Sequence, residues 1–120
     1  MTKPINLYSK FDNFEEHWSP KVIAEKNDYQ FKLVKIKGEF VKHHHSETDE
    51  VFIVIEDKMS IEFETEIKEI KSGEIIVVPK GVTHKPFAEE ECKVMLVEPR
   101  GILNTGDTKG DLTAPNDQWI

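Results

Sequence analysis

The sequence predicts an all-β protein, either a sandwich or a barrel. Short stretches rich in β-branched and aromatic residues follow one another at near-regular spacing, with turn residues between them. No long segment repeats its apolar residues with the 3.6-residue period of a helix. A chain of 120 residues has the length of one domain with a single core, so we expect residues 1–120 to form one domain.

Residues that favour turns separate the predicted strands. Gly38 closes the second strand, Asp57 and Lys58 separate the fourth from the fifth, and Ser72 and Gly73 precede the sixth. The strands predicted in this way cover residues 21–27, 29–38, 39–45, 50–56, 59–70, 74–79 and 92–99.

Both chain ends are predicted to lie outside the barrel core, which spans about residues 20–99. In the N-terminal segment 1–19, the stretch DNFEEHW predicts a helical or 3₁₀ turn, capped by its aspartate and stopped by the following Ser-Pro pair. The segment 100–120 has turn residues and no periodicity, yet it finishes on Trp119-Ile120. Those apolar residues predict a C-terminal arm that docks on the barrel or on a neighbouring subunit.

The composition is that of a soluble globular protein, with 38% apolar and 32% charged residues. No apolar stretch approaches the roughly 20 residues that cross a bilayer, so no membrane contact is predicted. The first residues lack the apolar run of a signal peptide. The single cysteine, Cys92, fits a reducing cytoplasm and is predicted to be a small core residue.

The charge balance disfavours nucleic acid as a partner. The formal net charge is −7, whereas phosphate neutralisation requires a basic face. Arg100 is the only arginine, so a substrate held by an arginine cluster, such as a sugar phosphate, is poorly provided for. Lysines could take that role.

Three consecutive histidines, in the stretch KHHHSETDE, raise the question of a metal site. Alternate side chains of a strand share a face, so His43 and His45 point one way together with Val41, and His44 points the other way. Two residues span roughly 6.5 to 7 Å along a strand, which lets both imidazoles converge on one ion. A solvated polar loop is the alternative interpretation.

Two further residues favour the metal site. Glu50 opens a strand with apolar residues on both faces, and a cation shared with the histidines would compensate its buried charge. His84 follows the turn formed by Pro79 and Gly81, and type I geometry at that turn would aim it over the sheet. Taken alone, His84 would be a surface histidine. Glu47 and Asp49 are predicted to be solvated.

These residues resemble the two motifs of the cupin superfamily. The first motif is matched by Gly38, His43-His44-His45 and Glu50, although the spacing after the glycine is one residue short and the closing glycine is Asp57 here. The second motif is matched by Gly73, Pro79, Gly81 and His84, with Ala88 in place of the final asparagine.

The resemblance implies a cupin-type double-stranded β-helix, a jelly-roll barrel. It also implies that one metal ion is held by four ligands, His43, His45, Glu50 and His84. Three imidazoles and a carboxylate suit divalent iron, manganese, nickel, cobalt or zinc. A homodimer is implied by the family and by the fourth strand, which is apolar on both faces and carries Val51, Ile53 and Ile55; which face pairs stays open.

The predicted pocket is apolar, lined by Val41, Phe52, Val54 and Phe87, and suits a small organic ligand anchored by the metal. Three functions stay open on these grounds. One is a small-molecule enzyme of dioxygenase type, and the second is a metal-dependent isomerase or lyase for a sugar or small carbonyl compound. The third is a non-catalytic ligand-binding or sensing module. Fold alone does not choose between them.

Overall fold

The computed structural model describes residues 2–120 and shows the predicted all-β fold. One short helix precedes seven strands, all paired in antiparallel fashion. The elements are α1 (Leu7–Phe11), β1 (Lys21–Lys26), β2 (Tyr29–Glu39), β3 (Glu50–Glu56), β4 (Lys58–Glu62), β5 (Ile67–Lys71), β6 (Ile75–Val78) and β7 (Lys85–Pro99).

The long strand β7 joins the two parts of the sheet. The main path runs β1-β2-β7-β3-β6, and β4 pairs with both β7 and β5. The first part of β7 pairs with β4, for example Phe87 with Ser60, and its last part pairs with β3, for example Val97 with Val51. One strand therefore borders both parts, which curls the sheet around a common interior.

That interior is a cluster of buried apolar side chains contributed by alternate positions of β2 to β7. On β3, the buried face carries Glu50, Phe52 and Val54, while the intervening residues are half-buried. This alternation is expected for a strand with one face in the core. The inner cluster comprises Val34, Ile36, Phe52, Val54, Met59, Ile61, Ile70, Val78, Ala88, Cys92, Val94 and Leu96.

A second apolar cluster lies on the outer face of the sheet, where the two chain ends meet. It comprises Phe11, Phe14, Ile23 and Leu33, with Ile120 packed against it. The C-terminal arm pairs Trp119 with Val22 of β1, and the Ile120 carbonyl accepts a hydrogen bond from Lys10 Nζ at 2.9 Å.

The helix forms earlier in the chain than the sequence predicts. The prediction of a turn over residues 12–18 is wrong, because Asn6 is the N-cap: its side chain accepts a hydrogen bond from the Ser9 backbone at 3.0 Å. Asp12 is the C-cap of that helix. Asparagine is among the strongest N-cap residues, so the start of α1 has a clear physical cause.

Three predicted strands also need correction. Residues 59–70 form two strands, β4 and β5, because the chain reverses at Phe63, whose N–H donates to the Glu66 carbonyl. Residue 39 is the last of β2, and residues 40–45 form no regular strand: their one strand-like pairing is the isolated bridge between His43 and His84. The last strand starts at Lys85 rather than Cys92.

Among residues 2–120, no helix has the length and apolar character required to span a membrane.

Candidate metal centre

Four buried side chains converge inside the barrel. His43, His45, Glu50 and His84 are each exposed by 5% or less, and one potential ligand atom from each lies within 4.8 Å of the others. His43, His45 and Glu50 belong to the first motif, and Glu50 is the first residue of β3. His84 belongs to the second motif. The fold thus brings together all four residues that the resemblance implies as ligands.

The backbone orients two of the imidazoles. His43 and His84 face each other across paired hydrogen bonds of 2.9 and 2.8 Å between their N–H and C=O groups. The Nδ1 atoms of His43 and His84 each lie 2.9 Å from the carbonyl two residues earlier, Val41 and Val82. An N–H donated to these carbonyls leaves each Nε2 free to accept toward the centre, as in metal-ligating histidines.

The turn before His84 has a different register from the one the sequence predicts. The Val82 N–H donates to the Pro79 carbonyl at 3.2 Å, and Gly81 has φ +80°. Pro79 is therefore the first residue of the turn, and Gly81 is the third, where a type II turn requires positive φ. The Gly81 N–H also donates to the His45 carbonyl at 2.8 Å, which joins the two motif segments.

Asp49 contributes a second link between these segments. Its Oδ1 accepts a hydrogen bond of 2.8 Å from the Lys80 backbone, so this residue caps the turn instead of being merely solvated. Glu47 is exposed. No local sequence pattern indicates that Asp49 caps this turn, because its partner lies 31 residues away in the chain.

Electrostatics favour an ionised carboxylate among the imidazoles. Burial raises the pKa of Glu50, but the adjacent imidazoles of His45 and His84 outweigh burial and hold that pKa at about 2. Glu50 Oε1 lies 2.9 Å from His84 Nε2 and 3.3 Å from His45 Nε2. Burial lowers the pKa of His43 to about 4, whereas Glu50 raises that of His45 against the effect of burial.

A divalent metal ion fits this donor set. The Nε2 atoms of His43 and His45 are buried and have no hydrogen-bond partner among the described residues. Leaving buried polar atoms unpaired is costly. An ion held by three imidazole nitrogens and the Glu50 carboxylate would satisfy both atoms, and this set suits first-row divalent metals.

The remaining histidines lie away from the centre. His44 is about 41% exposed in its side chain and pairs with Asp107 at 3.3 Å, on the opposite side from its two neighbours. His17 is exposed and lies 2.9 Å from Glu91. Neither belongs to the cluster of four ligands.

A small apolar cavity with a volume of about 30 Å³ adjoins the centre, and His43 and Glu50 are part of its wall. The rings of Trp18 and Phe40 stack at 4.5 Å with an interplanar angle of 15°, and the Phe40 ring contacts the edge of His43. The cavity is lined by Trp18, Pro20, Val34, Ile36, Phe40, His43, Glu50, Phe52, Pro86, Val94, Leu96 and Asn104.

Of the four predicted lining residues, the structure places only Phe52 in this wall. Val54 is fully buried in the core, and Val41 is half-buried outside the cavity because residues 40–45 are not a regular strand. Phe87 lines a separate recess, since Pro86 and Ala88 occupy the inward positions of β7.

Trp18 is a wall residue that the sequence did not indicate. Its φ is +60°, unusual for a bulky residue, and three hydrogen bonds hold it. Its N–H donates to Lys35, its indole N–H donates to Lys37, and its carbonyl accepts from Asn104 Nδ2 at 2.8 Å. The N-terminal segment thereby supplies part of the cavity.

A buried ion pair lies on the same inner face as Glu50. Glu98 Oε1 and Lys32 Nζ are 3.0 Å apart, and both side chains are at most 3% exposed. Burial and the charge of Glu50 raise the pKa of Glu98 to about 7, although Lys32 opposes that rise. Val94, Leu96 and Glu98 occupy alternate, inward-facing positions of β7, so this alternation could have predicted that Glu98 is buried.

Fold and site together define a cupin barrel with a buried His/Glu cluster that could bind a metal. The sequence pattern of the cupin domain matches residues 32–98, more than half of the chain, so the protein belongs to the cupin family.

Several relatives are of similar size. A cupin-2 domain protein from Shewanella frigidimarina is 59% identical with a TM-score of 0.79, covering 80% of this chain and 94% of that one. Protein NMB1881 from Neisseria meningitidis is 34% identical with a TM-score of 0.74, covering 81% and 99%. The uncharacterised protein YdbB of Bacillus subtilis is 34% identical over 71% of this chain and 76% of its own length.

One more distant similarity concerns the fold alone. Hydroquinone 1,2-dioxygenase from Sphingomonas has a TM-score of 0.72 at 16% identity, covering 81% of this chain and 32% of that one.

Proposed function

We propose that this cupin is a metal-dependent enzyme that acts on a small organic molecule, with chemistry of dioxygenase type. The observation that supports it is the position of the centre: His43 and Glu50 belong both to the cluster of potential ligands and to the wall of an apolar cavity. An ion held there would face this apolar cavity. Four protein ligands leave coordination positions free on a metal that prefers six, as a catalytic site requires.

The cavity wall favours a ligand with an apolar body. Apart from His43 and Glu50, it consists mainly of aliphatic and aromatic side chains. The Asn104 amide donates to the carbonyls of Trp18 and Leu112, and its oxygen accepts from Ala114, so it is already engaged. The hydroxyl groups of a sugar would find few partners, and unpaired buried polar groups are costly. The sugar alternative is therefore less well supported than a ligand with one polar, chelating end.

In this proposal the protein binds, orients and shields the reacting molecule. A redox-active divalent metal, when bound, would mediate the transfer of electrons from the organic compound to dioxygen. The stacked rings of Trp18 and Phe40 exclude water from one side of the cavity. Glu50, with its pKa at about 2, keeps a negative charge that holds a cation in place.

Oxygen consumption by the iron-loaded protein tests this proposal. The probes are dihydroxybenzenes and 1,3-diketones, which carry two chelating oxygens on an apolar body, with hexoses as the polar comparison. We expect oxygen uptake with an apolar probe and none with His84→Ala. Turnover of a hexose without oxygen uptake would support the isomerase alternative. Tight retention of an unchanged probe would support the binding module.

We also propose that the protein pairs with a second copy of itself. Two adjacent rows of apolar residues cross the outer face of four strands, and Ile75 and Val77 at their ends are 61% and 51% exposed. The rows begin beneath the outer cluster, where Leu33 is buried, and become exposed at Ile75 and Val77. Exposed apolar surface is typical of interaction sites. Across the paired strands β2, β7, β3 and β6, the first row is Phe31, Val97, Val51 and Val77. The second row is Leu33, Met95, Ile53 and Ile75.

Sedimentation velocity tests the dimer. Ile75→Glu places a charge in the proposed interface and should give a monomer. Ile67→Glu is the matched control, because Ile67 is 58% exposed but lies on β5, outside the two rows. A monomeric parent protein would contradict the proposal.

A cytoplasmic location is proposed on the evidence of the cysteine. Cys92 is a free thiol, fully buried in the inner cluster, and burial raises its pKa to about 12. An oxidising compartment stabilises proteins by allowing disulfides to form, and one inert thiol forms no disulfide within this chain. Cell fractionation with an antibody tests the location, and recovery from the extracellular medium would contradict it.

A further inference from the structure

The three imidazoles at the centre are not oriented in the same way. The Nδ1 atoms of His43 and His84 each contact a carbonyl of their own segment at 2.9 Å. For His45, no such bond to a carbonyl occurs among the hydrogen bonds of residues 2–120. Its ring lies instead beside a turn of the C-terminal arm, at Gly106. On its other side, His45 Nε2 lies 3.3 Å from Glu50 Oε1, so this contact and packing, and no backbone hydrogen bond, hold the ring.

Gly106 makes an unusually close approach to the histidine segment. A Cβ atom built at this position would overlap the His44 carbonyl oxygen, and it would lie 2.9 Å from the His44 carbonyl carbon and 3.1 Å from His45 Nδ1. Its φ is +57°, which also favours glycine. A Cβ contact below about 3 Å forces something to move, and here the neighbours are backbone atoms and a ring.

Neighbouring contacts fix this turn against the histidines. The Asp107 N–H donates to the His44 carbonyl at 3.1 Å, and the Asp107 carboxylate contacts His44 Nε2 and accepts from the Ser46 hydroxyl. Further along the arm, Thr105 is buried and hydrogen bonds to Thr113 at 2.7 Å. The arm is thus anchored independently and can press Gly106 against its neighbours.

We propose that Gly106 is a positioning residue of the metal centre, which sets the ring of His45 through the His44–His45 backbone. The inference rests on the proposed metal site and extends it to the C-terminal arm. By linkage, if docking of the arm favours metal binding, then bound metal favours docking of the arm to the same extent.

The test compares two glycines of the same arm. Gly106→Ala adds a Cβ that collides, whereas Gly101→Ala adds one at φ +94° with nothing within 4 Å. Gly101→Ala is therefore the control: it also places an alanine at a positive φ, but its Cβ meets no neighbouring atom. Zn²⁺ affinity by chelator competition and the absorption spectrum of the Co²⁺ form are the two measurements.

We expect Gly106→Ala to weaken Zn²⁺ binding by about 10-fold or more, the range typical of residues that orient metal ligands, and to alter the Co²⁺ spectrum. Gly101→Ala should stay within about threefold of the parent. Equal affinities in the two variants would overturn the inference. A parent protein that binds neither ion would overturn the proposed metal function instead.

A second measurement covers the case in which Gly106→Ala does not fold. In the parent, trypsin cleavage after the exposed Lys109 of the arm should be slowed at least about threefold by Zn²⁺, because bound metal stabilises the docked arm. Cleavage after the exposed Lys26, the last residue of β1, should not change. Equal protection at both sites, or protection at neither, would contradict the coupling.

Discussion

The two apolar clusters of this barrel differ in what holds them together and in what they do. The inner cluster is built by β2 to β7 and borders the metal centre, with Phe52 packed edge-on to His84 at 6.2 Å. The outer cluster brings α1 and β1 together on the other face of β2. Strand β2 serves both, since Val34 points inward and Leu33 outward. One strand therefore separates the region that borders the candidate metal centre from the region in which the two ends of the chain pack.

The largest effect should come from the outer cluster. Phe11→Ala removes a ring that is fully buried against Phe14, and loss of a buried phenylalanine costs about 3–5 kcal/mol. Denaturant unfolding measures the change. The metal content per folded chain should stay at the parent value, because Phe11 belongs to the cluster that does not contact the centre. Loss of metal from a folded Phe11→Ala protein would show that the two regions are coupled.

The next effect belongs to the inner region. His84→Ala removes one of four ligands and the hydrogen-bond partner of Glu50, so metal affinity should fall by about 100-fold or more. The matched control is His17→Ala, which removes an exposed histidine outside the cluster and should leave affinity unchanged. Competition titration with a chelator compares the two. Similar losses in both variants would contradict the assignment.

Proton competition should be smaller but visible. The pKa of His45 is raised by Glu50, so the metal-free centre holds a proton there that a metal must displace. As the pH falls below this raised pKa toward about pH 6, metal binding therefore weakens, by up to about tenfold per pH unit for each displaced proton. His43, with its pKa at about 4, adds no proton in this range. A metal affinity that rises on acidification would contradict this prediction.

The smallest effect should come from His44, the middle histidine. Its ion pair with Asp107 is exposed, and pairs of this kind contribute little. His44→Ala also keeps the backbone carbonyl against which Gly106 packs. We expect metal affinity within about threefold of the parent, whereas His43→Ala should lose most of it. Equal losses would show that His44 reaches the centre.

The sequence indicated the inner region well because its determinants are local. The His-x-His spacing and Glu50 lie on one short stretch, and glycine at a turn with positive φ carries its own signature. The apolar alternation along β3 predicted which of its faces is buried. The structure confirms the fold class, and the resemblance to the cupin motifs indicated all four potential ligands, including His84, which lies 34 residues from Glu50.

The rest depended on contacts between residues far apart in the chain. Trp18 reaches the cavity through hydrogen bonds to β2 and to Asn104, 86 residues away, and no local pattern encodes them. Phe40 replaces Val41 in the wall because pairing with β7 ends at Glu39. The position of α1 was missed because the cap at Asn6 was overlooked in favour of Asp12.

Metal content per chain tests the central claim most directly. The protein is purified without an affinity tag and analysed by plasma mass spectrometry, beside His84→Ala prepared in the same way. We expect about one first-row divalent metal per chain in the parent and a marked loss in the variant. Absence of metal from the parent, together with no change in melting temperature on adding such a metal, would contradict the claim.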